Sequence, residues 1–228
     1  MSLVKKFQRY LRHRWKNISA IASQRGGRSL FEIGLDCRTG KIMSHRYDLY
    51  YEKHLGPIRF APLVFLEIGV QRGKSLRMWE EYLPSARISA IDIDEKCESY
   101  QSERSRVFIG SQTNRDFLLR VAEASGGHFD VIVDDGGHSM DQQLTSFRVL
   151  FPLLRPGGIY VIEDLETSYQ EDFGGGPPGK TGTTVAFLKE LVDSLNSPSL
   201  KGGDRVSTFP VSGLHLYPGI AFISKGTS

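Results

Sequence analysis

The hydrophobic pattern of this chain switches between two periods. Short apolar runs rich in β-branched residues read as buried strands: Leu63 to Ile68, Arg87 to Ile93, Val107 to Gly110, Asp130 to Asp134 and Ile159 to Leu165. Between them, apolar residues recur at three- and four-residue spacing, which predicts helices over Ser75 to Tyr82, Phe117 to Ala124 and Ser139 to Leu154. The last is stopped by Arg155-Pro156-Gly157-Gly158. Such alternation implies an α/β domain over 61–228, with a mostly parallel sheet and helices on both faces. A Gly/Pro-rich loop over Glu171 to Thr183 precedes a helix over Thr184 to Asn196, and a loop follows over Ser197 to Asp204. Leu214 to Tyr217 and Ile220 to Ser224 flank Pro218-Gly219, a hairpin signal that ends the sheet with an antiparallel pair.

Two segments precede this core. Leu3, Phe7, Leu11, Trp15 and Ile18 share one face of an amphipathic helix over 1–28, closed by Gly26-Gly27. Such a helix packs on the body or on a second subunit, or serves as an arm for a membrane surface or an anionic partner; a homo-oligomer is expected, with this helix as the candidate contact. Residues 29–60 have no clean period. His45, Tyr47, Tyr50 and Tyr51 crowd there, with Tyr47 and Tyr51 four apart on one helix face. The segment reads either as a packed surface helix or as a lid offering polar tips to a ligand.

Charge sharpens the division. Eight Lys and Arg precede Glu32 with no acid among them, leaving 21 of the 29 basic residues against 26 acids, a net of −5. A nucleic-acid role would rest on that arm alone, and the acidic body offers no phosphate track. No apolar run reaches membrane-spanning length, and the basic N-terminus lacks a signal-peptide core. Cys37 and Cys97 have no metal spacing and suggest no disulfide, so a reducing cytoplasm is the expected setting.

The candidate chemistry sits at strand ends. Glu67-Ile68-Gly69-Val70-Gln71-Arg72-Gly73 follows the first strand and opens a helix. Only three residues separate Gly69 from Gly73-Lys74-Ser75, so the phosphate-loop spacing fails, and Gln71 stands where a dinucleotide fingerprint has glycine. An E-x-G-x-x-x-G loop remains, with Asp92 at the next strand's tip, where an acid binds ribose hydroxyls. The loop resembles the nucleoside-binding motif of class I S-adenosylmethionine (SAM)-dependent methyltransferases. Gly110-Ser111-Gln112 follows the third strand. The fourth ends in Asp134-Asp135-Gly136-Gly137-His138 and the fifth in Glu163-Asp164. Adjacent strand residues point to opposite faces, so Asp134 and Asp135 have separate tasks. Carboxylates at neighbouring tips repel unless a cation lies among them, and oxygen donors favour Mg²⁺ or a similar hard ion over zinc. Helix capping is the competing reading of the acids, and a packed histidine that of His138.

Asp134-Asp135-Gly136-Gly137-His138-Ser139, Pro156-Gly157-Gly158 with Ile159 to Leu165 and Thr167-Ser168-Tyr169, and the upstream Lys41, His45, Tyr47, Tyr51-Glu52 and Gly56-Pro57 together resemble one family. It is the metal-dependent sugar O-methyltransferases of the macrocin and mycinamicin type, with cephalosporin hydroxylase-like relatives. The resemblance runs from about Thr39 to the C-terminus. Because it leaves no counterpart in this sequence for the large extra N-terminal domain of some members, a compact member is expected, of the kind of the mannoside 1-O-methyltransferases of mycobacterial methylmannose polysaccharide synthesis. The resemblance implies a Rossmann-like class I methyltransferase fold with a seven-stranded sheet. It implies a metal on Asp135, Glu163 and Asp164, His138 as base, and SAM against Glu67, Gly69, Gly73, Asp92 and Gln112, with Asp134, Thr39 and His45 nearby. Tyr47, Tyr51 and Tyr169 are the candidate acceptor contacts, and the acceptor implied is a sugar or glycoside. A catechol-type methyltransferase, a hydroxylase-like protein and a SAM-binding protein without turnover are the alternatives; the last needs neither the acids nor His138.

Overall fold

The computed structural model describes residues 27–196 and 209–226. The amphipathic helix expected over 1–28, the subunit contact through it and the loop expected over Ser197 to Asp204 lie outside the described residues, Gly27 and Arg28 excepted.

One sheet contains β1 (Val64–Ile68), β2 (Arg87–Asp92), β3 (Ser105–Ile109), β4 (Phe129–Asp134), β5 (Leu154–Ile162), β6 (Val211–Tyr217) and β7 (Ile220–Lys225). The order is β3-β2-β1-β4-β5-β7-β6. The first five strands are mutually parallel, and β7 runs antiparallel between β5 and β6. Winding reverses between β1 and β4, and a crevice opens there beyond the strands' carboxyl ends.

The helices are α1 (Leu30–Cys37), α2 (Gly40–Met43), α3 (Asp48–Leu55), α4 (Lys74–Tyr82), α5 (Arg115–Ala124), α6 (Met140–Leu150) and α7 (Thr184–Asn196). Alternating strand residues feed two cores. Phe65, Val131, Val133 and Phe222 pack with Ile33 of α1, Tyr51 of α3 and Trp79 of α4. Leu66, Ile132, Tyr160 and Ile223 pack with Leu118 of α5, Phe147 of α6 and Leu188 of α7. Each such side chain, fully buried, contributes about 1.5–3 kcal/mol.

Residues 29–60 form three short α-helices and a 3-10 turn, Gly56–Ile58. Ser29 and Glu32 form a capping box that starts α1. Ser139 and Gln142 do the same for α6, which fixes the residue directly after His138. The expected helix to Leu154 is shorter. It ends at Leu150 because Pro152 supplies no N–H to continue it, and a 3-10 turn covers Phe151–Leu153. Strand β5 begins at Leu154, earlier than expected, and runs through Pro156-Gly157-Gly158. A register shift against β4 between Phe129 and Val131, with Gly157 at φ 79°, accommodates the proline.

At the opposite end of the sheet, His54 of α3 stacks on Phe222 with ring centroids 4.2 Å apart, and His215 of β6 lies beside it. Burial, with the charges of His215 and Lys53, pushes its pKa down to about 4. The unfolded chain therefore binds this proton more readily. Stability is expected to be full above pH ~6.5 and to fall as pH drops toward ~4, by about 1–3 kcal/mol after allowing for the ring's partial exposure. Urea midpoints at pH 7.5 and 4.5 (both roughly chosen to bracket that window) check it: His54→Phe should keep the stacking and lose less stability on acidification than the wild type.

Candidate active site

A cleft of about 560 Å³ opens at the crevice between β1 and β4. One wall is the loop after β1. Gly69, at φ 96°, lies against the backbone carbonyl of Asp135, and any Cβ there would overlap it. Gly73, at φ 67°, caps α4 with its Cα over the ring of Tyr100. Asp92 at the tip of β2 accepts hydrogen bonds from the N–H groups of Val70 (2.8 Å), Gln71 (2.9 Å) and Asp94 (2.9 Å). Burial works against its charge, but these donors outweigh burial and hold the carboxyl below its ordinary value. The acid that the sequence assigns to ribose therefore also ties down the glycine loop. Beside it Ile93, 75% exposed, lines the same cleft as an apolar surface that the sequence reading did not single out.

The acids at β4 and β5 divide as strand alternation demands. Asp134 is fully buried and accepts hydrogen bonds from Ser146, Gln112 (3.1 Å) and Tyr160 (3.2 Å). Burial raises its pKa to about 6. The structure thus sets it behind the cleft rather than in its wall. Gln112 does line the cleft, but its amide is engaged by Asp134 and by the N–H of Gly137 (2.9 Å), so it braces the loop before His138. Asp135, one residue on, faces the cleft.

Glu163 continues from β5 and Asp164 turns the chain at φ 54° into a 3-10 segment, Leu165–Tyr169. His138 is likewise left-handed, at φ 59°. Each such non-glycine residue stores about 1–3 kcal/mol of strain, held by its surroundings. Thr167 supplies part of that hold by donating to the carbonyls of both His138 (3.0 Å) and Asp164 (2.8 Å). The turns converge: His138 Nε2 lies 3.3 Å from Asp164 Oδ2 and 3.9 Å from Asp135 Oδ1. Ligand atoms of Asp135, His138 and Asp164 all fall within 4.8 Å of one another, and His45, Asp164 and Glu166 form a second such group.

Helix α2 borders the cleft. Thr39 and His45 at its ends line it, and His45 Nδ1 is 3.9 Å from Asp164 Oδ1. Between them Lys41 reaches inward, 3% exposed. Its Nζ donates to Asp135 and to Glu163 Oε1 (2.7 Å), and lies 3.5 Å from Glu67 Oε1. Burial opposes the ammonium charge, yet the acids overcome it and hold the amine well above its ordinary value. Burial, then repulsion from Asp135, pushes the Glu163 carboxyl up.

Several expected contacts move away from the cleft. Glu67 is fully buried beneath α4, accepting from Ser75 (3.0 Å) and Trp79 (2.9 Å), and burial lifts its pKa to about 7. Tyr47 and Tyr51 are 2% and 0% exposed and present no free tip to an acceptor. Their hydroxyls turn to the protein instead, Tyr47 donating between Asp164 (3.2 Å) and the carbonyl of Gly219 (3.1 Å) and Tyr51 donating to Glu163. Tyr169 is 49% exposed and lies outside the cleft lining. Lys41 is the site residue whose role the sequence reading missed. Its signal was its place in the upstream pattern, but nothing local marks a lysine as buried.

Residues 66–165 match a family described as a methyltransferase domain. The 8-demethyl-8-alpha-L-rhamnosyl tetracenomycin-C 2'-O-methyltransferase of Streptomyces olivaceus is 38% identical over 205 residues, 84% of this chain and 54% of that protein. The mycinamicin VI 2''-O-methyltransferase of Micromonospora griseorubida is 38% identical over 80% of this chain and 48% of its own length. The chain therefore spans about half the length of the curated relatives it matches. Among solved structures, the MycE methyltransferase of the mycinamycin pathway, in complex with Mg, SAH and mycinamycin VI, superposes with a TM-score of 0.82. It is 36% identical, covering 88% of this chain and 54% of that one. A caffeoyl-CoA O-methyltransferase homologue from Staphylococcus aureus, 18% identical with a TM-score of 0.54, shares the fold.

Proposed function

The chain belongs, through its methyltransferase domain, to the class I SAM-dependent O-methyltransferases of the macrolide and mycinamicin sugar type, and from that premise we propose that it methylates a hydroxyl of a sugar or glycoside. The observation that carries this reading is the convergence of Asp135, His138 and Asp164 within 4.8 Å at the cleft's edge.

SAM fits the glycine-loop half of the cleft. Gly69 permits close backbone approach, Asp92 suits ribose hydroxyls, and Ile93 offers an apolar face to a base. SAM supplies an electrophilic methyl group. In the other half Asp135, Glu163 and Asp164 line the cleft and would hold a divalent ion, an all-oxygen set of the kind Mg²⁺ prefers; Asp135 and Asp164 converge with His138, while Glu163, bonded to Lys41 and Tyr51, stands outside that closest group. When bound, such an ion supplies Lewis acidity toward neighbouring hydroxyls. His138 lies close enough to count as a ligand, but hard oxygen donors suffice for such an ion, which leaves the imidazole for the proton.

A sugar hydroxyl holds its proton about as tightly as water, whose pKa is roughly 15.7. His138 would accept that proton at Nε2 as the oxygen bonds to the methyl carbon and the methyl–sulfur bond breaks to leave S-adenosylhomocysteine, because imidazole exchanges protons near neutral pH. Asp164 and Asp135 face Nε2 and favour the positive charge that the ring gains with the proton, and Thr167 and Gln112 fix the two loops that carry these groups. Thr39, Lys41 and His45, which line the cleft, would cover a bound acceptor. The free, buried Cys37 and Cys97 agree with a cytoplasmic setting, and no helix among the described residues is long and apolar enough to cross a membrane.

Labelled SAM incubated with glycosides bearing vicinal hydroxyls, and with catechols, tests the acceptor class. Label is expected in the glycosides. Label in phenols alone would instead support the catechol-type reading.

A further inference from the structure

The acids of the cleft close around a cation that the chain itself supplies. Lys41 offers three N–H donors, and they meet three carboxylates: Asp135, Glu163 and, at 3.5 Å, Glu67. Two of these are ligands of the proposed divalent site. We propose that Lys41 is a built-in counter-ion of that site, a positioning residue that keeps its acids together before the ion arrives and weakens the ion's binding so that it exchanges. The inference rests on the metal half of the function proposed above.

The geometry divides the oxygens between the two cations. Lys41 takes Oδ2 of Asp135, while Oδ1 faces His138. Lys41 and Tyr51 both take Oε1 of Glu163, which leaves Oε2. Each acid is thereby pinned by one oxygen with the other kept for a ligand. A positive charge bonded to the ion's own ligands also repels the ion, and in a buried site with little solvent screening that repulsion is strong. Without the amine, Glu67, Asp135 and Glu163 would face one another across a nearly dry space, so the ion-free state needs it more than the loaded one.

Mn²⁺ binding to the full chain, read from the paramagnetic resonance of free Mn²⁺ without SAM, compares the wild type with Lys41→Met and Lys41→Arg. Lys41→Met is expected to bind Mn²⁺ at least about tenfold more tightly, and Lys41→Arg to stay near the wild type. Thermal unfolding should show Lys41→Met less stable without the ion, with a larger Tm rise on adding it than the wild type shows. A Lys41→Met protein that folds only with Mn²⁺ upholds the proposal. If it fails to fold even with Mn²⁺, Lys41→Gln carries the comparison, and the same failure there overturns the proposal, because the ion should replace the missing charge. If the wild type binds Mn²⁺ and the uncharged variant binds no more tightly, the counter-ion role falls while the metal site stands. If no form binds Mn²⁺, the metal half of the proposed function falls, and this role with it.

Discussion

His138→Ala is expected to lower kcat by about 10²–10⁴-fold while leaving SAM affinity unchanged, the usual reach of a positioned general base. The split follows from where the residue stands. Its Nε2 faces Asp164 and Asp135, not the Asp92 carboxylate that the sequence assigns to ribose. Because His138 occupies the left-handed region, alanine there adds backbone strain to the loss of the base. Asparagine tolerates that region better. His138→Asn should therefore be as inactive as His138→Ala but unfold at a higher temperature. Isothermal titration with S-adenosylhomocysteine and single-turnover kinetics check both halves. An asparagine variant with near-wild-type turnover would remove His138 from the chemistry.

Asp164→Asn is expected to weaken divalent-ion binding by more than the ~10–100-fold typical of outer-shell partners, because this carboxylate is placed to ligate directly. Turnover should fall by about 10³-fold, matching the several kcal/mol that a Lewis acid contributes. Asparagine again suits the left-handed backbone at φ 54°, so the turn into Leu165–Tyr169 is expected to survive. Tyr47 keeps an acceptor in the amide oxygen. Mn²⁺ titration of the folded variant reads the result, and unchanged Mn²⁺ affinity would exclude Asp164 as a ligand.

The frame of the molecule was legible because burial imposes simple periods. The β-branched runs of β1, β2, β4 and β5 lie between two helical layers, and such strands carry few polar residues except at their ends. Those ends are where the candidate acids stand. The start of β5 was misjudged because Pro156-Gly157-Gly158 reads as a stop, whereas a register shift against β4 carries the strand through it. Alternation also separates Asp134 from Asp135, but it does not say which acid reaches the cleft. That depended on Ser146 and Tyr160, which come from other elements and claim Asp134.

Residues 29–60 were the least legible, for a related reason. Tyr47 and Tyr51 look like exposed polar tips, yet their hydroxyls are consumed by Asp164 and Glu163. Lysine is the residue type least expected in a core, and Lys41 is buried because three carboxylates wait for it. Local periodicity cannot report a partner 94 or 122 residues away. Glu67 shows the converse. The motif points to it as a cofactor contact, but Trp79 and Ser75 one helix later enclose it, so it anchors α4 and Lys41 beneath the site.

The central claim is that a hydroxyl is activated between the acids of β4 and β5 and His138. It is tested most directly by labelled methyl transfer from SAM to a vicinal-diol glycoside, in excess EDTA and then with Mg²⁺ restored. The account predicts turnover lost in EDTA and recovered with Mg²⁺. Full turnover in EDTA would contradict it.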